Sequence, residues 1–98
     1  MDDASERGRV HVWVSGRVQG VGFRAYVQSN ALQIGVTGWV RNVGYDTVEA
    51  VAEGTPAQIE RFLVMVKRGP TGSRVDEAHE QREASTGEFA SFGVRGSA

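Results

Sequence analysis

The amino-acid sequence predicts an α+β domain, a split β-α-β sandwich in which two helices cover one face of an antiparallel sheet. Three observations lead there. Apolar residues alternate with period two over several short runs. They recur at helical spacing over two longer ones. Glycine and turn residues separate the runs so that the order reads β-α-β-β-α-β. Ninety-eight residues suit one such domain around a single core and are too few for two.

From 9 to 15 the chain alternates cleanly, with Val10, Val12 and Val14 on one face and His11, Trp13 and Ser15 on the other, which predicts a half-buried strand. The stretch Gly16 to Gly22 carries three glycines in seven residues, after which Phe23, Val27, Ala31 and Ile34 mark a helix that Gly35 stops. Residues 36–42 are β-branched and aromatic, 43–46 hold turn residues, and 47–53 alternates again through Val48, Ala50 and Ala52. Two strands this close form an antiparallel hairpin. Thr55, Pro56 and Gln58 give a capping-box start with proline at N1, and the stripe Ile59, Phe62, Leu63 and Val66 continues a second helix to Gly69 and Pro70. Arg74 to Ala84 is dense in charge and alternates poorly, so periodicity supports only a short strand at 75–81, at a sheet edge where charge deters further pairing. Thr86 and Gly87 signal a turn, and Phe92 and Val94 supply a last short strand.

These elements in this order make the ferredoxin-like topology. Its first two strands run parallel with the third inserted between them, so both finish at the same end of the sheet. The glycine loop after the first strand and Asn42 at the end of the second are therefore expected to be neighbours.

Composition removes several function classes. Eleven basic residues against twelve acidic ones leave no global positive excess, so nucleic acid is not an expected partner and any anion site must be local. The absence of cysteine excludes disulfides, thiolate nucleophiles and thiolate-bound metals. His11 and His79 have no partners at ligand spacing; both read as solvated strand positions, and neither a metal site nor a cofactor is expected. Trp13 and Trp39 offer stacking faces, yet packing or partner contact explains a tryptophan on a sheet face more simply than base recognition does. Asp76, Glu77, Glu80 and Glu83 read as a solvated edge. Residues 1–8 are polar and contain no apolar run fit for a signal peptide or membrane span. They are expected to be a flexible tail on a cytoplasmic protein whose single domain covers 9–95.

The chemistry concentrates in residues 16–24. Glycines at 20 and 22 permit positive φ and carry no Cβ, so successive N–H groups can converge on an anion ahead of a helix N-terminus. Arg24, in the first turn, adds a permanent charge and a planar fork of donors suited to two phosphate oxygens. The plainer reading, in which the glycines only make the turn and Arg24 is solvated, stands beside it. Gly20-x-Gly22-x-x-Ala25 also imitates a dinucleotide fingerprint, but the second strand turns straight back in a hairpin where that fold needs another parallel unit. No Gly-Lys-Ser/Thr follows the loop, so it is not a Walker motif. Asn42, taken alone, reads as a residue that opens a hairpin turn.

Val18-Gln19-Gly20-Val21-Gly22-Phe23-Arg24, then Gly38-Trp39-Val40-Arg41-Asn42, then Val48-Glu49 with Ala52-Glu53-Gly54, and finally Gly69-Pro70 resemble the acylphosphatase family over nearly the whole chain, from about Val10 to Val94. The resemblance implies a metal-independent enzyme that hydrolyses the carboxyl-phosphate bond of a small acyl phosphate, releasing a carboxylate and inorganic phosphate, the latter also a competitor. By position it places the phosphate-binding arginine at Arg24 and the water-orienting asparagine at Asn42, with backbone donors from Gln19, Gly20, Val21, Gly22 and Phe23. A non-catalytic module of the same fold that binds phosphate or nucleic acid is the alternative. The sequence departs from the family pattern in the hairpin turn, Val43-Gly44-Tyr45-Asp46-Thr47, and in the tail Arg-Gly-Ser-Ala after Val94. Both departures bear on turn shape and tail packing.

Overall fold

The computed structural model describes residues 6–98. Most of the expected flexible tail, residues 1–5, lies outside the described residues. The elements are β1 (Gly8–Arg17), α1 (Phe23–Ile34), β2 (Thr37–Val43), β3 (Thr47–Gly54), α2 (Pro56–Arg68), β4 (Arg74–Ala84) and β5 (Phe92–Val94). They form one sheet of order β4-β1-β3-β2-β5. β1 and β2 both pair antiparallel with β3, so they run parallel to each other and end at the same end of the sheet. β4, β1, β3 and β2 make the antiparallel sheet expected, and β5 adds a short edge parallel to β2, which makes the whole sheet mixed.

The alternation of β1 sets the core. Val10, Val12 and Val14 lie opposite Ala52, Ala50 and Val48 of β3, all of them buried. The stripes of both helices close over this face through Phe23, Val27 and Ala31 of α1 and Ile59, Phe62, Leu63 and Val66 of α2. Each large aliphatic or aromatic side chain so buried contributes about 1.5–3 kcal/mol. The helix ends are the ones the sequence encodes. Gly35 takes φ 97° and returns its N–H to the Ala31 carbonyl. At the start of α2, the Gln58 N–H donates to Thr55 Oγ1 while the Thr55 N–H donates to Gln58 Oε1. In β2, Gly38 has φ 146°, and any Cβ there would collide with the Val51 carbonyl of the neighbouring strand. Only glycine fits this close approach.

Two sequence expectations change in the folded chain. β4 runs eleven residues, longer than the 75–81 that periodicity supported, because its backbone pairs with β1 from Gly8 opposite Ala84 to Arg17 opposite Arg74. Most of its charges remain exposed at the edge while Glu80 is half-buried, and several find partners, among them Lys67 to Glu80 at 2.7 Å and Arg82 to Glu60 at 2.9 Å. His79 is exposed as expected. His11 is not a solvated position. Its ring stacks on Trp13 with centroids 3.8 Å apart, and its Nε2 shares a 2.6 Å hydrogen bond with Glu49 Oε2. Arg41 Nε donates to the other Glu49 oxygen at 2.6 Å. Burial would raise the pKa of this carboxyl, but Arg41 and His11 outweigh it and hold the group below its ordinary value.

Candidate active site

The pairing of β1 with β3 ends at Ser15, its register against β4 shifts between Ser15 and Gly16, and the Gly16 N–H donates to the Asp46 carbonyl of the β2–β3 turn at 3.0 Å. Val18 is fully buried and anchors the loop that follows. Gly20 and Gly22 both take φ 75°, as their place in the sequence anticipates, and Gly22 caps α1 in the left-handed conformation without any side-chain cap. Among the described residues, no protein group accepts from the N–H groups of Gln19 through Phe23. These free donors lie at the N-terminus of α1, the positive end of its dipole.

Gln19, Gly20, Gly22, Phe23 and Arg24 line one cavity of about 380 Å³, and Asn42 joins them across it. The topology explains the meeting. Asn42 lies opposite Val48 in β3, and Val48 lies opposite Val14 in β1, so Asn42 shares the helix-covered face at the end where β1 enters the loop. The half-buried Arg24 donates from Nη1 to the Arg95 carbonyl at 3.3 Å, which ties its fork to the chain after β5. Val21 is the one loop residue that does not line the cavity; its side chain packs against the core. Phe23 also turns its ring inward, so its part in the site is its backbone.

Sequence reasoning did not select Val18, Ala25, Gln28 or Val94, which complete the wall. Gln28 stands four residues after Arg24, on the same side of α1, and its Nε2 donates to the Phe92 carbonyl at 3.3 Å. That spacing was a legible signal for Gln28. Val94 was not legible as a wall residue, since only the parallel pairing of β5 with β2, which sets it beside Val40, brings it to the cavity. The tail beyond it follows β2 to its end: Arg95 N–H donates to Val40, Ala98 N–H donates to the Asn42 carbonyl at 2.9 Å, and Gly44 N–H donates to Ala98. Among the described residues, no group of three or more histidine, aspartate or glutamate side chains is placed to hold a metal ion, and no helix is long and apolar enough to cross a membrane.

Known proteins resemble this chain in sequence and in fold. The family profile described as Acylphosphatase matches residues 10–94. A protein of Synechococcus sp. (strain JA-2-3B'a(2-13)) named acylphosphatase is 52% identical over 91 residues, covering 93% of this chain and 96% of the relative. The crystal structure of acylphosphatase from Bacillus subtilis superposes with a TM-score of 0.86 at 34% identity, covering 90% of this chain and 98% of that one. The structure of an acylphosphatase from Coxiella burnetii superposes equally well at 33% identity, covering 97% and 100% of the two chains. Family profile, sequence relatives and solved structures agree over nearly the whole chain, and the chain belongs to the acylphosphatase family.

Proposed function

We propose that this acylphosphatase holds the phosphoryl group of its substrate in the cradle of residues 19–23 under the Arg24 fork and uses Asn42 to aim the attacking water. The observation that carries the reading is the convergence of Arg24, the glycine loop and Asn42 on one cavity at the N-terminus of α1.

The chemistry suits so sparse a site. An acyl phosphate expels a carboxylate whose conjugate acid has a pKa of roughly 4, so departure needs no strong general acid. Water forms a bond to phosphorus as the phosphorus–acyl oxygen bond breaks, and the acyl group leaves as carboxylate. Charge on the equatorial oxygens in the loose transition state is met by Arg24 and the loop N–H groups. Asn42 accepts a hydrogen bond from water through its amide oxygen and aligns it opposite the leaving group. No carboxylate or imidazole lines the cavity among the described residues, so the water's proton passes to a phosphoryl oxygen, and inorganic phosphate leaves carrying it. The near-neutral charge of the chain supports a small-molecule substrate in preference to nucleic acid.

Hydrolysis of benzoyl phosphate tests this. The protein should release benzoate and inorganic phosphate in equal amounts, and Arg24→Ala should abolish turnover with an unchanged circular dichroism spectrum. Turnover by Arg24→Ala at the native rate would place the chemistry elsewhere.

A further inference from the structure

The amide of Gln19 does more than lend a backbone N–H to the loop. Its Nε2 lies 3.0 Å from the Thr47 carbonyl, 3.1 Å from that of Gly44 and 3.3 Å from that of Val43. Two N–H bonds are thus shared among three acceptors, and the orientation of the amide is dictated, because the reverse one would set its oxygen against three carbonyl oxygens. The three acceptors are the last residue of β2, the first of β3 and Gly44 in the turn between them, all within five residues after Asn42. Gly16, three residues before Gln19, makes a second tie to the same turn through the Asp46 carbonyl. The loop that cradles phosphate and the strand end that carries Asn42 come from separate parts of the chain, and β1 pairs with β3, not with β2. Among the described residues, Gln19 is the one loop side chain that spans this joint by hydrogen bonds.

We infer that Gln19 is a positioning residue: through its side-chain amide it sets the Asn42 end of β2 at the distance from the phosphate cradle that in-line attack requires. The inference rests on the water-orienting reading of Asn42 proposed above. A misplacement of about 1 Å between reacting groups can lower a rate by about 100-fold, so a clamp at the joint affects chemistry far more than it affects phosphate binding. Arg24 and the loop donors are untouched by its loss, whereas the Asn42 amide loses its reference point.

The test is a double-mutant cycle on benzoyl phosphate hydrolysis with Gln19→Leu, Asn42→Ala and the pair. Inhibition by inorganic phosphate and the thermal midpoint are measured in parallel, and Gln19→Asn is included as a milder change that keeps an amide but shortens its reach. Gln19→Leu should lower kcat by at least about 10-fold while the phosphate inhibition constant stays within about 3-fold, with Gln19→Asn between it and the native enzyme. In the Asn42→Ala background, Gln19→Leu should cause no further loss, because it acts through the residue already removed. Losses that multiply in the double variant, an unchanged kcat in both Gln19 variants, or a phosphate constant that weakens in step with kcat would each overturn the role. An Asn42→Ala enzyme with native kcat would overturn the water-orienting reading itself, and this inference with it. Native-like losses at Asn42 with none at Gln19 would remove the inference alone.

Discussion

Val14 and Asn42 face the same residue from opposite sides: Val48 of β3 lies opposite each of them in the register of the sheet. The ends of β1 and β2 are thereby set one strand apart on the helix-covered face. Arg24 and Asn42, 18 positions apart in sequence, come to line a single cavity.

Asn42 is assigned to water and not to phosphate, and its substitution separates the two. Asn42→Ala should lower kcat by at least about 100-fold, or roughly 2.7 kcal/mol of transition-state stabilisation, while inorganic phosphate still binds. Asn42→Asp should fail as well, since its carboxylate repels an anionic substrate held across the cavity. Steady-state kinetics with phosphate inhibition check both. A raised KM at constant kcat would show uniform binding in place of water alignment.

Inorganic phosphate should stabilise the fold, because the cradle exists only when β1, the loop and α1 are assembled. At about 100 times its dissociation constant it should add about 2.7 kcal/mol, read as a rise in thermal midpoint. Arg24→Ala should abolish the rise, and Arg24→Lys should restore little of it, since a point charge does not reproduce the fork. A native shift in Arg24→Ala would mean that the anion binds without that side chain.

Glu53 is the more deeply buried of the two buried carboxylates, Glu49 and Glu53, among the described residues, and acid stability should depend on it. It accepts from the N–H groups of Thr86 and Gly87 at 3.0 and 2.9 Å and from the hydroxyls of Ser85 and Thr86 at 2.9 and 3.0 Å, with Arg9 Nη1 at 3.3 Å. Burial opposes ionisation, yet these donors outweigh it and lower the pKa from 4.5 to about 2. The folded value lies below the unfolded one, so the stabilisation is complete above pH 4.5 and is lost as the pH falls toward 2. Glu53→Gln should therefore cost roughly 3 kcal/mol near neutral pH. The gap between the two melting curves should narrow steadily across that acid range. A gap that persists undiminished at pH 2 would assign the effect to shape and not to charge.

The loop and α2 were legible because their signals are local. Positive φ at Gly20 and Gly22 follows from glycine in a strand-to-helix loop, and the Thr55–Gln58 box needs only four consecutive residues. The nearness of Arg24 and Asn42 was legible one step further on, from the order of the elements, since that topology brings the ends of the first two strands together. The roles proposed for them rest on the resemblance of the two motifs to a family, as the glycines and Asn42 taken singly admit plainer accounts.

The sequence by itself determined the order of strands and helices, the core face of each and the residues that can bear charge or donate to an anion. These properties depend on side-chain type and on spacing within a few residues. Tertiary structure alone decided which distant groups meet. His11 looked solvated because Glu49, itself held by Arg41, reaches it only across the sheet, and β4 looked short because its length is set by β1 and not by its own alternation. The four residues after Val94 carry no pattern of their own; they lie along β2 because that strand's free edge offers the Val40 and Asn42 carbonyls to their N–H groups. The Glu53 cradle closes over a separation of more than thirty residues, as does the meeting of Arg24 with Arg95. Hydrogen bonds of this kind require register and chain crossing to be in place, and no local spacing encodes either.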